Sequence, residues 1–155
     1  MRVMTKHFGE IDLDESKVIY FADGILGFDD YKKYTILYDN EEGERPDISW
    51  LQSIDEPSLA IPVMSPFLVM DEYNPEVEDE LLKALGNMNA DNIIVLVSVT
   101  VPSDITKLSA NMKAPFIINS ETKKGIQIVV DNGDYEIKYH FYEKLAAIKE
   151  AKEGQ

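Results

Sequence analysis

In residues 108–118 apolar and polar side chains alternate with a period of two, and this pattern constrains the fold most tightly. Leu108, Ala110, Met112, Ala114, Phe116 and Ile118 share one parity, whereas Ser109, Asn111 and Lys113 take the other. Successive side chains of a strand point to opposite faces, so the segment reads as a strand with one wet face. Pro115 has no N–H to give to a ladder, so the strand lies at an edge, bends, or splits in two at that point. In residues 92–101, Ile93, Val95, Val97, Val99 and Val101 fill one face. The opposite face begins apolar with Ile94 and Leu96, then turns polar at Ser98 and Thr100. A central strand covered on both sides at one end has this pattern.

Short strands are further expected at residues 2–7, 10–13, 18–21, 34–38, 48–54 and 59–64. Residues 126–130 and 135–139 flank Asp131-Asn132-Gly133-Asp134. Asn-Gly tolerates the positive φ angles of a tight turn, so these two segments are expected to form a hairpin. Many short strands with turn signals between them predict a mainly β domain, a small antiparallel β-barrel-like body with one or two peripheral helices. The first helix is expected over residues 74–86. Asn74 would cap it, Pro75 would take the first turn, Gly86 would end it, and Val77, Leu81, Leu82 and Leu85 would form the buried stripe. The second is expected from Phe141 to Glu153, with Phe141, Leu145 and Ile148 on one face. Its narrow stripe and polar end predict fraying beyond about Lys149. The division expected is a barrel domain over residues 1–140 and a helical extension over residues 141–155.

The chain of 155 residues carries 29 acidic and 15 basic side chains, a formal charge of −14, and no cysteine. Disulfides, thiolate metal sites and cysteine nucleophiles are therefore excluded. No apolar run approaches the ~18 residues of a membrane span, and the first residues lack the apolar stretch of a signal peptide. A cytoplasmic protein without a membrane partner is the expectation. Direct nucleic-acid binding is not expected, because it needs cations facing the phosphates. A basic protein is the better partner for such a surface.

Catalytic motifs are nearly absent: the sequence holds no glycine-rich nucleotide loop, no G-x-S-x-G and no H-E-x-x-H. His7 and His140 are the two histidines, fewer than the three or four ligands a metal usually takes, and they read as ordinary residues. Asp12-x-Asp14-x-Ser16 resembles the start of a calcium loop, but Lys17 and Asp23 stand where glycine and a bidentate glutamate belong. No cofactor and no metal are expected. Trp50 reads either as a further interface anchor or, beside Ile48 and Leu51 in a strand, as a core residue, the commoner use of such a tryptophan.

Acidic residues cluster three times: Glu10 to Asp30; Asp39, Glu41, Glu42, Glu44 and Asp47; and Asp71, Glu72, Glu76, Glu78, Asp79 and Glu80. Each cluster reads either as a solvated exterior or as a docking face for a cationic protein. In the third, Tyr73 adjoins the apolar Phe67-Leu68-Val69-Met70, giving the aromatic anchor and charged rim of an interface. Asp71, Glu72, Tyr73, Glu76 and Glu78 are therefore the candidate partner-binding residues. The competing reading of these residues is helix capping and macrodipole compensation.

Four stretches carry a resemblance. They are Phe21-Ala22-Asp23-Gly24-Ile25-Leu26-Gly27-Phe28 with Tyr34-Thr35-Ile36-Leu37; Trp50-Leu51-Gln52-Ser53 with Pro57-Ser58-Leu59-Ala60-Ile61 and Pro66-Phe67; Val99-Thr100-Val101-Pro102; and Asn111-Met112-Lys113-Ala114-Pro115 with Ile118-Asn119 and Lys124-Gly125-x-Gln127. In order and spacing they resemble the FliW flagellar assembly factor family, from near the start to about Tyr139. Ala22 and Leu26 stand where that family commonly has prolines, which bears on the turn's rigidity. The tail from Phe141 onward extends past the resemblance. The resemblance implies a β-barrel-like domain with peripheral helices, no catalytic activity and no cofactor. It also implies two partners bound in turn: flagellin, held before export, and CsrA, the RNA-binding repressor of flagellin translation. It further implies that CsrA is antagonised away from its RNA-binding surface. The free protein is expected to be a monomer. The rival reading, from the residues alone, is an enzyme or small-ligand binder on a β-barrel scaffold.

Overall fold

The computed structural model describes residues 1–38, 48–86, 89, 91–131 and 133–153, with side chains described as far as residue 147. Its strands are β1 (Arg2–Met4), β2 (Glu10–Asp12), β3 (Ile19–Phe21), β4 (Lys33–Tyr38), β5 (Ile48–Ser53), β6 (Ala60–Met64), β7 (Ile93–Thr100), β8 (Ser109–Ala110), β9 (Phe116–Asn119), β10 (Lys124–Gln127) and β11 (Tyr139–His140). The helices α1 (Asp79–Lys83) and α2 (Tyr142–Glu153) complete the domain, with three short 3-10 turns. β1 and β2 form a separate antiparallel hairpin.

β3 to β7 pair in sequence, β7 also pairs with β9, β9 with β10, and β10 returns to β3, so seven strands close a barrel. The sequence predicts an antiparallel barrel, whereas the structure is mixed. Strand direction cannot alternate all the way around an odd-numbered ring, so one contact must be parallel. That contact is β10 on β3, where Lys124 faces Tyr20 and Gly125 faces Phe21.

The segment interrupted by Pro115 splits in two, and both halves pair with β7. Val95 faces Ile117 and Val99 faces Ala110, so four residues along β7 answer to seven along its partner. The surplus is absorbed around Asn111, whose Oδ1 accepts from the backbone N–H groups of Lys113 and Ala114. The split divides one sequence stripe between two cores. Phe116 and Ile118 point into the barrel with Phe21, Tyr34, Leu51 and Val63. Leu108, Ala110 and Met112 join Met64, Tyr73, Val97, Val99 and Phe141 in a second core. Phe21, Tyr34, Leu51, Val63, Phe116 and Ile118 are all at most 1% exposed, so the barrel is filled by its own side chains.

Two local expectations are corrected. The expected helix 74–86 is helical only over α1, and residues 73–78 are not helical. Asn74 and Pro75 thus lie before the helix, and Glu78, the residue at its start, makes no side-chain cap. The apolar stripe holds nonetheless: Val77, Leu81, Leu82 and Leu85 pack with Ile117, Ile128 and Val130. Gly86 ends the segment at φ +96°, as expected of a helix stop. Buried Asn119 fastens that end, donating from Nδ2 to the Leu85 carbonyl at 3.0 Å.

The expected hairpin between 126–130 and 135–139 does not form. β10 is taken by β9 and β3, and β11 by β8. A turn signal permits a reversal but does not compel its two arms to pair. Asn132 and the second acidic cluster (Asp39, Glu41, Glu42, Glu44 and Asp47) lie outside the described residues. α2 runs to Glu153, past the point where fraying is expected. Phe141, just before it, is 1% exposed, and Tyr142 and Leu145 pack on the same core. The side chains of Ile148, Lys149 and Glu153 lie outside the described set.

Candidate functional site

Among the five candidate residues, the structure separates the tyrosine from the carboxylates. Asp71, Glu72, Glu76 and Glu78 are exposed, whereas Tyr73 is only 3% exposed. The Tyr73 hydroxyl donates to the Met112 carbonyl at 2.6 Å. Its ring meets Tyr135 with 4.7 Å between centres and Phe67 with 6.1 Å. Burial, then the neighbouring Tyr135, push its pKa far above the ordinary phenol value. Tyr73 is therefore a strut under the acidic segment and not a surface anchor. Period and neighbours in sequence do not distinguish these roles, because the partner carbonyl is 39 residues away. The apolar surface beside the acids comes from Phe67 and Leu68, 43% and 39% exposed.

Of the competing reading, side-chain capping fails for Glu78, which stands at the start of α1 but makes no side-chain cap, whereas its place at that helix end is compatible with macrodipole compensation. Glu72 lies close enough to Lys144 of α2 to help raise the lysine's pKa, behind the larger influence of the Tyr139 hydroxyl. The Lys144 ammonium sits 5.1 Å from the centre of the Tyr139 ring. The C-terminal helix thus brings a cation to one edge of the acidic segment.

Glu76 and Glu78 belong to a feature that the sequence does not reveal. With Asp131 they border an open groove of about 370 Å3 floored by Val77, Leu81, Ile128 and Val129. The two sides of the groove are 47 residues or more apart in the chain, so only tertiary packing assembles it. A second open groove, of about 560 Å3, involves Phe28, Tyr31, Leu59 and Ile61 at the turn that follows β3.

His7 and Trp50 meet each other, with 3.9 Å between ring centres. Trp50 is half-buried on the outside of β5 and not in the core. Tyr34 and Leu51 fill the barrel in its place. Burial, then Lys6, lower the His7 pKa. Among the described residues no three His, Asp or Glu side chains gather as a metal site. Asp14 accepts from the Ser16 N–H at 3.0 Å and caps a 3-10 turn, which accounts for the Asp14-x-Ser16 spacing, while Asp12 lies 3.5 Å from the Met1 nitrogen. No helix is long and apolar enough to cross a membrane, among the described residues.

The model of the family described as FliW protein matches residues 2–141. The chain belongs to the FliW family. Flagellar assembly factor FliW of Lachnoclostridium phytofermentans is 52% identical over 155 residues, covering 100% of this chain and 99% of the relative. The protein of the same name from Lachnospira eligens is 54% identical over 146 residues, covering 94% and 97%. A crystal structure of the flagellar assembly factor FliW superposes with a TM-score of 0.83 at 27% identity, covering 92% of this chain and 97% of that one. The FliW model stops at residue 141, but the L. phytofermentans relative aligns through the α2 tail. This FliW-family chain is accordingly a flagellar assembly factor of a non-enzymatic family.

Proposed function

We propose that this FliW-family chain is a cytoplasmic adaptor that binds flagellin and, when free of it, binds and antagonises CsrA, relieving repression of flagellin messenger RNA. Membership of the flagellar assembly factor family over nearly the whole chain carries the reading. The −14 charge supports it, since an RNA-binding repressor needs a cationic surface and opposite fields speed encounter. Mass action supplies the switch: if both partners need the same protein molecule, accumulated flagellin lowers the pool free for CsrA. Exposed Asp71, Glu72, Glu76 and Glu78 are the proposed CsrA contacts, with Tyr73 holding their segment in place.

Co-purification with CsrA and with flagellin, repeated with each partner competing against the other, tests the adaptor reading. Capture of neither at low ionic strength would overturn it. Titration calorimetry of a Glu72→Lys, Glu78→Lys double variant tests the contact residues. Weaker CsrA binding with a flatter salt dependence is expected, and an unchanged affinity and slope would remove these residues from the contact.

A further inference from the structure

Ile128, Val129 and Asp131 line one side of the acidic groove, and the backbone of residues 128–130 is paired on one edge only. The N–H groups of Ile128 and Val130 donate to the carbonyls of Pro115 and Lys113 at 3.1 and 2.9 Å. Backbone groups of alternate residues in an extended chain point to opposite sides. The N–H and C=O of Val129 therefore point away from residues 113–115, and no partner for either is present among the described residues. Val129 is 54% exposed. Beyond it lie the groove, then the non-helical residues 76–78.

Residues 128–130 lie beyond the end of β10 at Gln127 but keep its pairing toward residues 113–115, so their free side acts like an open strand edge, a template for another extended chain. Here Val77 and Leu81 provide an apolar floor, while Glu76, Glu78 and Asp131 border the slot with negative charge. A second copy of this chain would bring another −14 charge to the same place, which like-sign repulsion disfavours. We infer that the groove receives an extended segment of a cationic protein, alternating basic and apolar residues, laid as an added strand against the Val129 edge. Its apolar side chains rest on Val77 and Leu81, and its basic ones reach the Glu78 and Asp131 carboxylates. The inference rests on the adaptor reading for the basic character of the partner, and it assigns that partner's binding mode.

The test uses the full chain and a short capped peptide alternating lysine and isoleucine, followed by amide NMR at low ionic strength. The Val129 and Glu78 amide signals should shift and saturate. N-methylating the peptide's alternate amides keeps its charge but removes its donors, and should weaken binding about tenfold. The protein variant Val129→Pro should have the same effect, and the methylated peptide keeps the test valid if that variant misfolds. A Glu78→Lys, Asp131→Lys variant should weaken binding about fivefold or more. Equal binding of methylated and unmethylated peptide, or shifts confined to other surfaces, would overturn strand addition. So would a concentration-dependent dimer abolished by Val129→Pro, which would place a second copy in the groove. CsrA and flagellin capture that survives every groove substitution would reject this inference and leave the adaptor reading intact, whereas loss of capture by the unaltered chain would reject that reading.

Discussion

Tyr34 and Tyr73 are both buried phenols, yet their hydroxyls are used differently. Tyr73 donates to the Met112 carbonyl at 2.6 Å, while the Tyr34 hydroxyl has no protein partner among the described residues. Removing one member of a buried hydrogen bond leaves the other unsatisfied, so Tyr73→Phe should cost about 1–2 kcal/mol in urea unfolding. Tyr34→Phe removes an unpartnered polar atom and should be neutral or slightly stabilising. A large loss at position 34 or none at 73 would refute this assignment. Burial, then Tyr31, push the Tyr34 pKa up to about 12, and Tyr73 is raised further. A raised folded pKa means that the unfolded chain releases its proton first as pH rises. Stability from these groups should therefore be complete below pH ~10 and fall above it, by at most about 1.4 kcal/mol per pH unit for each phenol. Unfolding at stepped alkaline pH, compared with the Tyr34→Phe variant, checks the slope. Gly24 is constrained differently: its φ is +71°, and an added Cβ would lie 2.6 Å from the Asp29 Cα. Gly24→Ala should cost about 1–3 kcal/mol, measurable as a lowered thermal midpoint.

At the scale of elements, the informative sites are those where distant segments lock together. Asn119, fully buried, donates to the Leu85 carbonyl and accepts from the N–H groups of Glu121 and Thr122. It joins the end of α1 to the turn between β9 and β10. Asn119→Ala should cost about 2–4 kcal/mol and loosen both, seen as faster amide exchange at Leu85 and Thr122. Unchanged exchange at Leu85 would separate the two elements. Phe141 ties the C-terminal segment to the second core, and Phe141→Ala should cost about 3–5 kcal/mol if that segment is integral to the domain. Most strands were legible from the period of two and from turn residues, and Pro115 marked the break in the long segment, but of the strands expected at 126–130 and 135–139 only Ile126, Gln127 and Tyr139 lie in one. The helix start was not legible. Asn74-Pro75 satisfies the local rules for an N-terminus, but the segment instead runs non-helical across the Ile128 and Val130 core, with Tyr73 bound to Met112. Burial of Val77 and Tyr73 outweighs the modest gain of a cap.

At the scale of the molecule, charge among the described residues is distributed without much pairing. Among the described residues the ion pairs are the Met1 nitrogen with Asp12 and Arg2 with Glu10, at 3.5 and 3.3 Å. A chain of −14 net charge repels itself. Its thermal midpoint should therefore rise as salt goes from ~0.02 to ~0.3 M, because the screening length shortens across that range. A midpoint that falls or stays flat would show that the acids are balanced within the fold. Composition, periodicity and the ordered FliW-like stretches by themselves determined a mainly β, cysteine-free, acidic domain and its family, because these properties are local or additive along the chain. Only the tertiary structure decided that seven strands force one parallel contact, that Tyr73 faces inward, and that Glu76, Glu78 and Asp131 border one groove. Those outcomes depend on which distant segments meet, and neither a period of two nor a charge count specifies a partner across 39 residues or more.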